Sequence, residues 1–159
     1  MSLEPPDQQF FEAAVGYSEL GMPLEADAEL DKIDPFNRAA PEVIALRIAI
    51  CHATKKWELM RELAKRLCEF EPQNVQWRVS LAYGTRRAAS IEAAKEILLE
   101  AEPRFPDEPV IYYNLACYEA QLGDLTNAKK YLKRTFELEP KWRAVALDDE
   151  DLKVLWDAL

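Results

Sequence analysis

The chain has 159 residues, 49% of them hydrophobic and 31% charged, which suits one compact domain or a short run of stacked repeats and excludes a disordered chain. A net charge of −9 repels phosphate backbones and anionic lipid, so neither nucleic acid nor membrane is expected as a partner. No apolar run approaches the roughly 20 residues that cross a bilayer, and residues 1–7 lack the basic-then-apolar pattern of a secretory signal, which makes a cytoplasmic location the expectation.

Laid over itself at a shift of 34 residues, the chain agrees with itself without insertion. Ala14, Ile48, Ala82 and Ala116 form one column, and Ala26, Met60, Ala94 and Ala128 a second. Leu30, Ala64, Leu98 and Leu132 form a third, and Ile33, Leu67, Ala101 and Thr135 a fourth. Pro72, Pro106 and Pro140 share a column, and Gly21 falls in register with Gly123. The register divides the chain into units 7–40, 41–74, 75–108 and 109–142, each read as a helical hairpin.

In unit 7–40 the first helix carries Phe10, Ala14 and Tyr17, Gly21 breaks it, and the second carries Ala26, Leu30 and Ile33 before Pro35 interrupts the chain. Unit 41–74 keeps helical apolar spacing through Ile44, Ile48, Cys51, Leu63 and Leu67. Its bulky Ile48 and Met60 stand where the other units have alanine, so a splayed hairpin is expected. Unit 75–108 retains Leu81, Ala82, Ala94, Leu98, Ala101 and Pro106. In unit 109–142, Tyr112, Leu115, Ala116 and Leu122 make one stripe, Gly123 ends the helix, and Asp124 caps the next. That second helix places Ala128, Tyr131, Leu132 and Thr135 inward and stops at Pro140. Ala116 and Ala128 are small enough to let two helix backbones approach closely.

Residues 143–159 read as a C-terminal capping helix. Four acidic side chains at 148–151 suit a helix start, and Leu152, Leu155, Trp156 and Leu159 follow at i, i+3, i+4 and i+7. Such a stripe either covers the apolar end of a repeat stack or offers a face to another chain, for example in a homodimer. Trp142 is expected beneath this helix, and the acidic run is read as a solvated helix start rather than a metal site.

This periodicity resembles the tetratricopeptide repeat: a large residue, a Leu followed by a small residue, an aromatic, a later Ala-x-x-x-aromatic or aliphatic, and a closing proline. Tyr112, Leu115, Ala116, Ala128, Leu132 and Pro140 carry the match most fully, and it extends over about nine-tenths of the chain. The departures are Arg38 in place of the first closing proline, Arg47 in place of a Leu, and Arg78 and Thr85 at usually apolar positions. The resemblance implies an all-α fold, an α-solenoid of stacked hairpins winding as a right-handed superhelix. It also implies ligand binding on the face lined by the first helix of each hairpin. On this chain that face takes Phe11, Val15, Ala49, His52, Val79, Tyr83, Arg86, Arg87, Tyr113, Asn114 and Cys117, with Glu12 and Ala45 beside them. Aromatic faces with arginine and amide donors suit a peptide, and the arginines suit an acidic or C-terminal group, although Arg86 and Arg87 also fit the favoured place of cations at a helix C-terminus. The lysine and asparagine clamp of the chaperone-tail subclass is missing: its columns hold Phe11, Ala45, Val79 and Tyr113, and Val15, Ala49, Tyr83 and Cys117.

Nothing argues for catalysis. Cys51, Cys68 and Cys117 are odd in number and unpaired by spacing, as expected of reduced core thiols, and with His52 the only histidine no metal site is expected. Cys51 and His52 are adjacent, and neighbours on a helix point about 100° apart, too divergent for a nucleophile and its base. The glycines at 16, 21, 84 and 123 form no phosphate-binding loop, so no cofactor is expected. The expected function is a protein-interaction adaptor or scaffold that binds a peptide in the groove; the alternative is a small acidic chaperone or a self-associating assembly factor.

Overall fold

The computed structural model describes residues 3–159, and its regular structure is helical, with no strand among the described residues. Met1 and Ser2, part of the stretch read for a leader, lie outside the described residues. The α-helices are α1 Asp7–Glu19, α2 Pro23–Leu30, α3 Pro41–Ala53, α4 Trp57–Phe70, α5 Val75–Ala88, α6 Ile91–Ala101, α7 Pro109–Leu122, α8 Leu125–Leu138 and α9 Trp142–Ala146. Short 3₁₀ turns cover Asn37–Ala39 and Glu102–Arg104, and a longer one covers Glu150–Ala158. No helix among the described residues is long and apolar enough to cross a membrane.

All members of the four core columns of the 34-residue register are buried, from Ala14, Ala26, Leu30 and Ile33 to Ala116, Ala128, Leu132 and Thr135. Local chemistry sets the breaks between them. Proline opens α2, α3 and α7 at a position whose N–H would have no helical partner anyway. Ser90 and Asp124 cap α6 and α8 by accepting from the amides of Ala93 and Asn127. At Gly21 and Gly123 the chain turns left-handed, with φ of 71° and 86°, and the next amide reaches back to Tyr17 O and Glu119 O. Lys55 occupies the same register position with φ 58°, and Lys56 N bonds Cys51 O in the same way. A lysine therefore holds a conformation that only glycine adopts without strain.

The chain divides into two compact units, the first ending at Gly84 and the second starting at Thr85. In the first, α1 packs on α2, α2 on α3, and α3 on α4. The helix α2 is short, and Arg38 occupies the place of a closing proline; its Nε donates to Ile33 O at 2.7 Å and its Nη2 to Asp31 O at 2.5 Å, satisfying carbonyls that the helix leaves open. Buried Asp7 holds the same loop by accepting from Asp34 N and Asn37 Nδ2. Arg47 is an ion-pair partner of Asp31 at 2.9 Å, which explains a charge where a leucine is usual. Ile48 and Met60 both lie inside the core, with Ile44, Cys51, Leu63, Ala64 and Leu67. Gly84 has a packing reason: a Cβ there would meet Arg61 Cγ at 3.1 Å and Arg61 N at 3.2 Å, so its absence lets α5 lie close to the start of α4.

In the second unit α6 packs on α7 and α7 on α8, again adjacent helices in sequence order, so both units have the local architecture of an α-solenoid. Glu119 is buried on α7 and paired with Lys95 of α6 at 2.7 Å. That hydrogen bond holds the lysine pKa above its usual value against the opposing pull of desolvation. Residues 142–159 form two pieces rather than the single helix expected from the stripe. The helix α9 packs on α8, and the 3₁₀ segment Glu150–Ala158 packs on α7. With about three residues per turn, Leu152 and Leu155 come into line, and both are buried. Trp156 falls out of that line and donates its indole N–H to Ala146 O at 2.9 Å. Trp142 is half-buried, its ring tilted against Tyr113 at 4.6 Å and its N–H on Glu139.

Candidate functional site

The sequence-predicted face separates into two parts of different character. In the first unit α1 carries Phe11 and Val15, α3 carries Ala49 and His52, and α5 carries Val79 and Tyr83. Ala49 and His52 are exposed and the other four half-buried, so this apolar surface remains in contact with water. His52 and Tyr83 meet at 5.0 Å between ring centroids, and Trp57, at the first position of α4, closes the group at 5.8 Å from His52 and 5.7 Å from Tyr83. Three helices thus contribute to one aromatic cluster. Phe11 rests on the core formed by Ala14, Ala26, Leu30 and Val43. Rigid rings with polar edges offer large contact area at low conformational cost. Beside them Cys51 points into the core, where burial pushes its thiol pKa up, while His52 is at the surface, so the neighbouring pair does not combine.

In the second unit Tyr113 and Cys117 are buried, because residues 149–155 of the chain lie against them. Tyr113 donates its hydroxyl to Asp149 Oδ2 at 2.6 Å, and the Cys117 thiol lies 3.7 Å from the same oxygen. Arg86 grips Asp151 with two bonds, Nη1 to Oδ2 at 2.5 Å and Nη2 to Oδ1 at 2.9 Å. Gln121 Nε2 donates to Asp151 O at 2.9 Å. The bond to Asp151 keeps Arg86 more firmly charged than a free guanidinium. Burial foremost, then the bond to Asp149, pushes the Tyr113 hydroxyl pKa far up; burial, then the Asp149 and Asp151 charges, does the same for Cys117. Asn114 spends its amide on Val110 O one turn back in its own helix, and Arg87 is exposed.

Cys117, Asp149 and Asp151 bring ligand atoms within 4.8 Å of one another, the chain's nearest approach to a metal-binding group among the described residues. Arg86 and Tyr113 already engage both carboxylates, and a guanidinium at the site opposes a cation.

Sequence reasoning missed four contributors. Trp57 lies outside the first-helix columns; the available signal was its size in a column otherwise held by Pro23, Ile91 and Leu125. Gln121 had no distinguishing pattern. Asp149 and Asp151 were read with their neighbours as one solvated run, whereas the chain alternates: Asp148 and Glu150 are exposed, Asp149 and Asp151 turned inward.

No family model and no curated protein matches the chain. Solved structures do. MamA RS-1 ArsTM double mutant superposes with a TM-score of 0.75 at 15% identity over 87% of this chain and 78% of that one. MamA MSR-1 C2 gives 0.72 at 17% identity over 85% and 78%. TTC0263, a thermophilic TPR protein of Thermus thermophilus, gives 0.71 at 19% identity over 96% and 82%. The chain has a tetratricopeptide-type fold. In this fold the departures at Arg38, Arg47 and Lys55 are absorbed by hydrogen bonds, an ion pair and a left-handed turn without disturbing the core columns.

Proposed function

We propose that this tetratricopeptide-type chain works by binding, as a protein-interaction adaptor or scaffold, and that the first-helix face of its first unit takes a peptide segment of a partner. The observation that supports the reading is the half-exposed cluster of His52, Trp57 and Tyr83, continued along the unit by Phe11, Val15, Ala49 and Val79. Fold by itself specifies no partner, so the reading rests on this surface. The test is affinity capture from native lysate, comparing the parent with a His52→Ala, Tyr83→Ala double variant. Partners retained by the parent and lost by the variant support the reading; equal retention by both ends it.

A second reading, a small acidic chaperone or self-associating factor, draws on different surfaces. Phe36 and Phe70 are strongly exposed around an apolar cavity of about 500 Å³ lined also by Pro35, Ala40 and Pro41. Val145, Leu147 and Val154 are exposed along the last segment, where a homodimer could form. Size-exclusion chromatography with light scattering decides part of this: a concentration-independent monomer removes self-association.

A further inference from the structure

Arg86, Tyr113, Cys117 and Gln121 of the second unit all meet one short stretch of chain, Asp149 to Asp151. Covering the apolar surface of α7 requires Leu152 and Leu155, which are buried, but it does not require two carboxylates. Bringing a carboxylate to a guanidinium that is only 13% exposed carries a desolvation penalty that apolar residues of similar size would avoid. What the arrangement supplies is discrimination. The planar fork of Arg86 matches both oxygens of Asp151, the Tyr118 ring lies against the guanidinium at 5.6 Å, and the Tyr113 hydroxyl reads Asp149 two residues earlier. The segment making these contacts is weakly built. From Glu150 onward it is wound as a 3₁₀ helix, whose hydrogen bonds have poor geometry; Leu147 just before it and Val154 within it are exposed.

We propose that this face is a recognition site for an acidic linear segment of a partner protein, with two carboxylates at positions i and i+2 followed by leucine, and that residues 149–155 are its internal occupant. The proposal rests on the interaction-module reading and names the chemistry of its partner. The partner and the strap compete for Arg86 and Tyr113, so apparent affinity is scaled down by the fraction of molecules in which the strap is released. Loosening the strap raises affinity without altering the site itself.

The test uses the full chain and a fluorescent synthetic peptide of sequence 147–159, titrated by anisotropy. An Asp149→Asn, Asp151→Asn variant binds the peptide about tenfold or more tighter than the parent, and adding Arg86→Gln removes the gain. Equal affinity in parent and double variant, or binding indifferent to Arg86→Gln, overturns the proposal. So does a concentration-dependent dimer of the parent that the double variant loses, because the face then belongs to a second copy. Thiol labelling of the folded parent, read by mass spectrometry against denatured rates, gives an answer that does not depend on any variant folding. Cys117 labels about tenfold faster than Cys51 and Cys68, and added peptide slows it, because strap release uncovers that thiol alone; equal rates at all three overturn the proposal. Lysate partners retained by the parent and lost by the His52→Ala, Tyr83→Ala variant, together with failure here, overturn this proposal and leave the general reading standing.

Discussion

The two units share a core register and differ on the face that the tetratricopeptide resemblance assigns to ligands. In the first, small or aromatic residues stay in contact with water and the aromatic rings pack on one another. In the second, equivalent columns carry Tyr113 and Cys117, and with Arg86 and Gln121 they are engaged by a segment of the same chain. Similar backbone scaffolds thus give an open apolar face in one case and a polar face with a matched occupant in the other. Side-chain chemistry at outward positions makes that difference, since the inward columns are alike.

The comparison can be broken most forcefully at Leu152. Leu152→Ala removes a fully buried side chain and is expected to cost about 2–5 kcal/mol, with hydrogen exchange accelerating across Glu150–Ala158 while α3 and α4 keep their protection. Accelerated exchange in α3 and α4 would show that the units do not open independently. Lys95→Met leaves the Glu119 carboxylate buried without its partner. A loss of about 2 kcal/mol in urea unfolding is expected, below the ~3–5 kcal/mol of a fully enclosed pair because Lys95 is 26% exposed.

Tyr113→Phe deletes the hydroxyl that Asp149 accepts from, for an expected loss of about 1 kcal/mol. It also alters the alkaline limb. The folded hydroxyl holds its proton above pH 10 while the unfolded one releases it, so the unfolded state binds fewer protons and stability falls as pH rises. The phenylalanine variant, having no proton there to lose, should show a shallower decline above pH 10 in thermal melts. Lys55→Gly should stabilise the first unit by about 0.5–1 kcal/mol by relieving a left-handed lysine, read as a higher denaturation midpoint. His52→Ala, at an exposed position, should change stability by less than about 0.5 kcal/mol, so any loss of partner binding by that variant reports the face and not the fold.

Helix pairing was readable from the chain because its determinants recur at a fixed interval: each core column is buried, and Gly123 with Asp124 both ends and restarts the helices as their chemistry requires. Lys55 was not readable as a left-handed turn, since its side chain gives no sign of a positive φ; only its place in register with Gly21 and Gly123 points there. The tail was half readable. Leu152 and Leu155 are buried as an apolar stripe should be, but the spacing that suggested an α-helix also admits a 3₁₀ segment, and Trp156 shows which of the two formed. The identities of the residues on the face that the resemblance assigns to ligands carried no information about occupancy.

By itself the sequence determined that helices form and that the side chains of the repeating columns turn inward, because those outcomes depend on local propensity and on a repeating pattern of burial. Only the tertiary structure decided which outward faces stay open. Arg86 and Asp151 are 65 positions apart and Tyr113 and Asp149 are 36 apart, so their meeting depends on the path of the backbone between them and on the burial of Leu152 and Leu155, which no short-range pattern encodes.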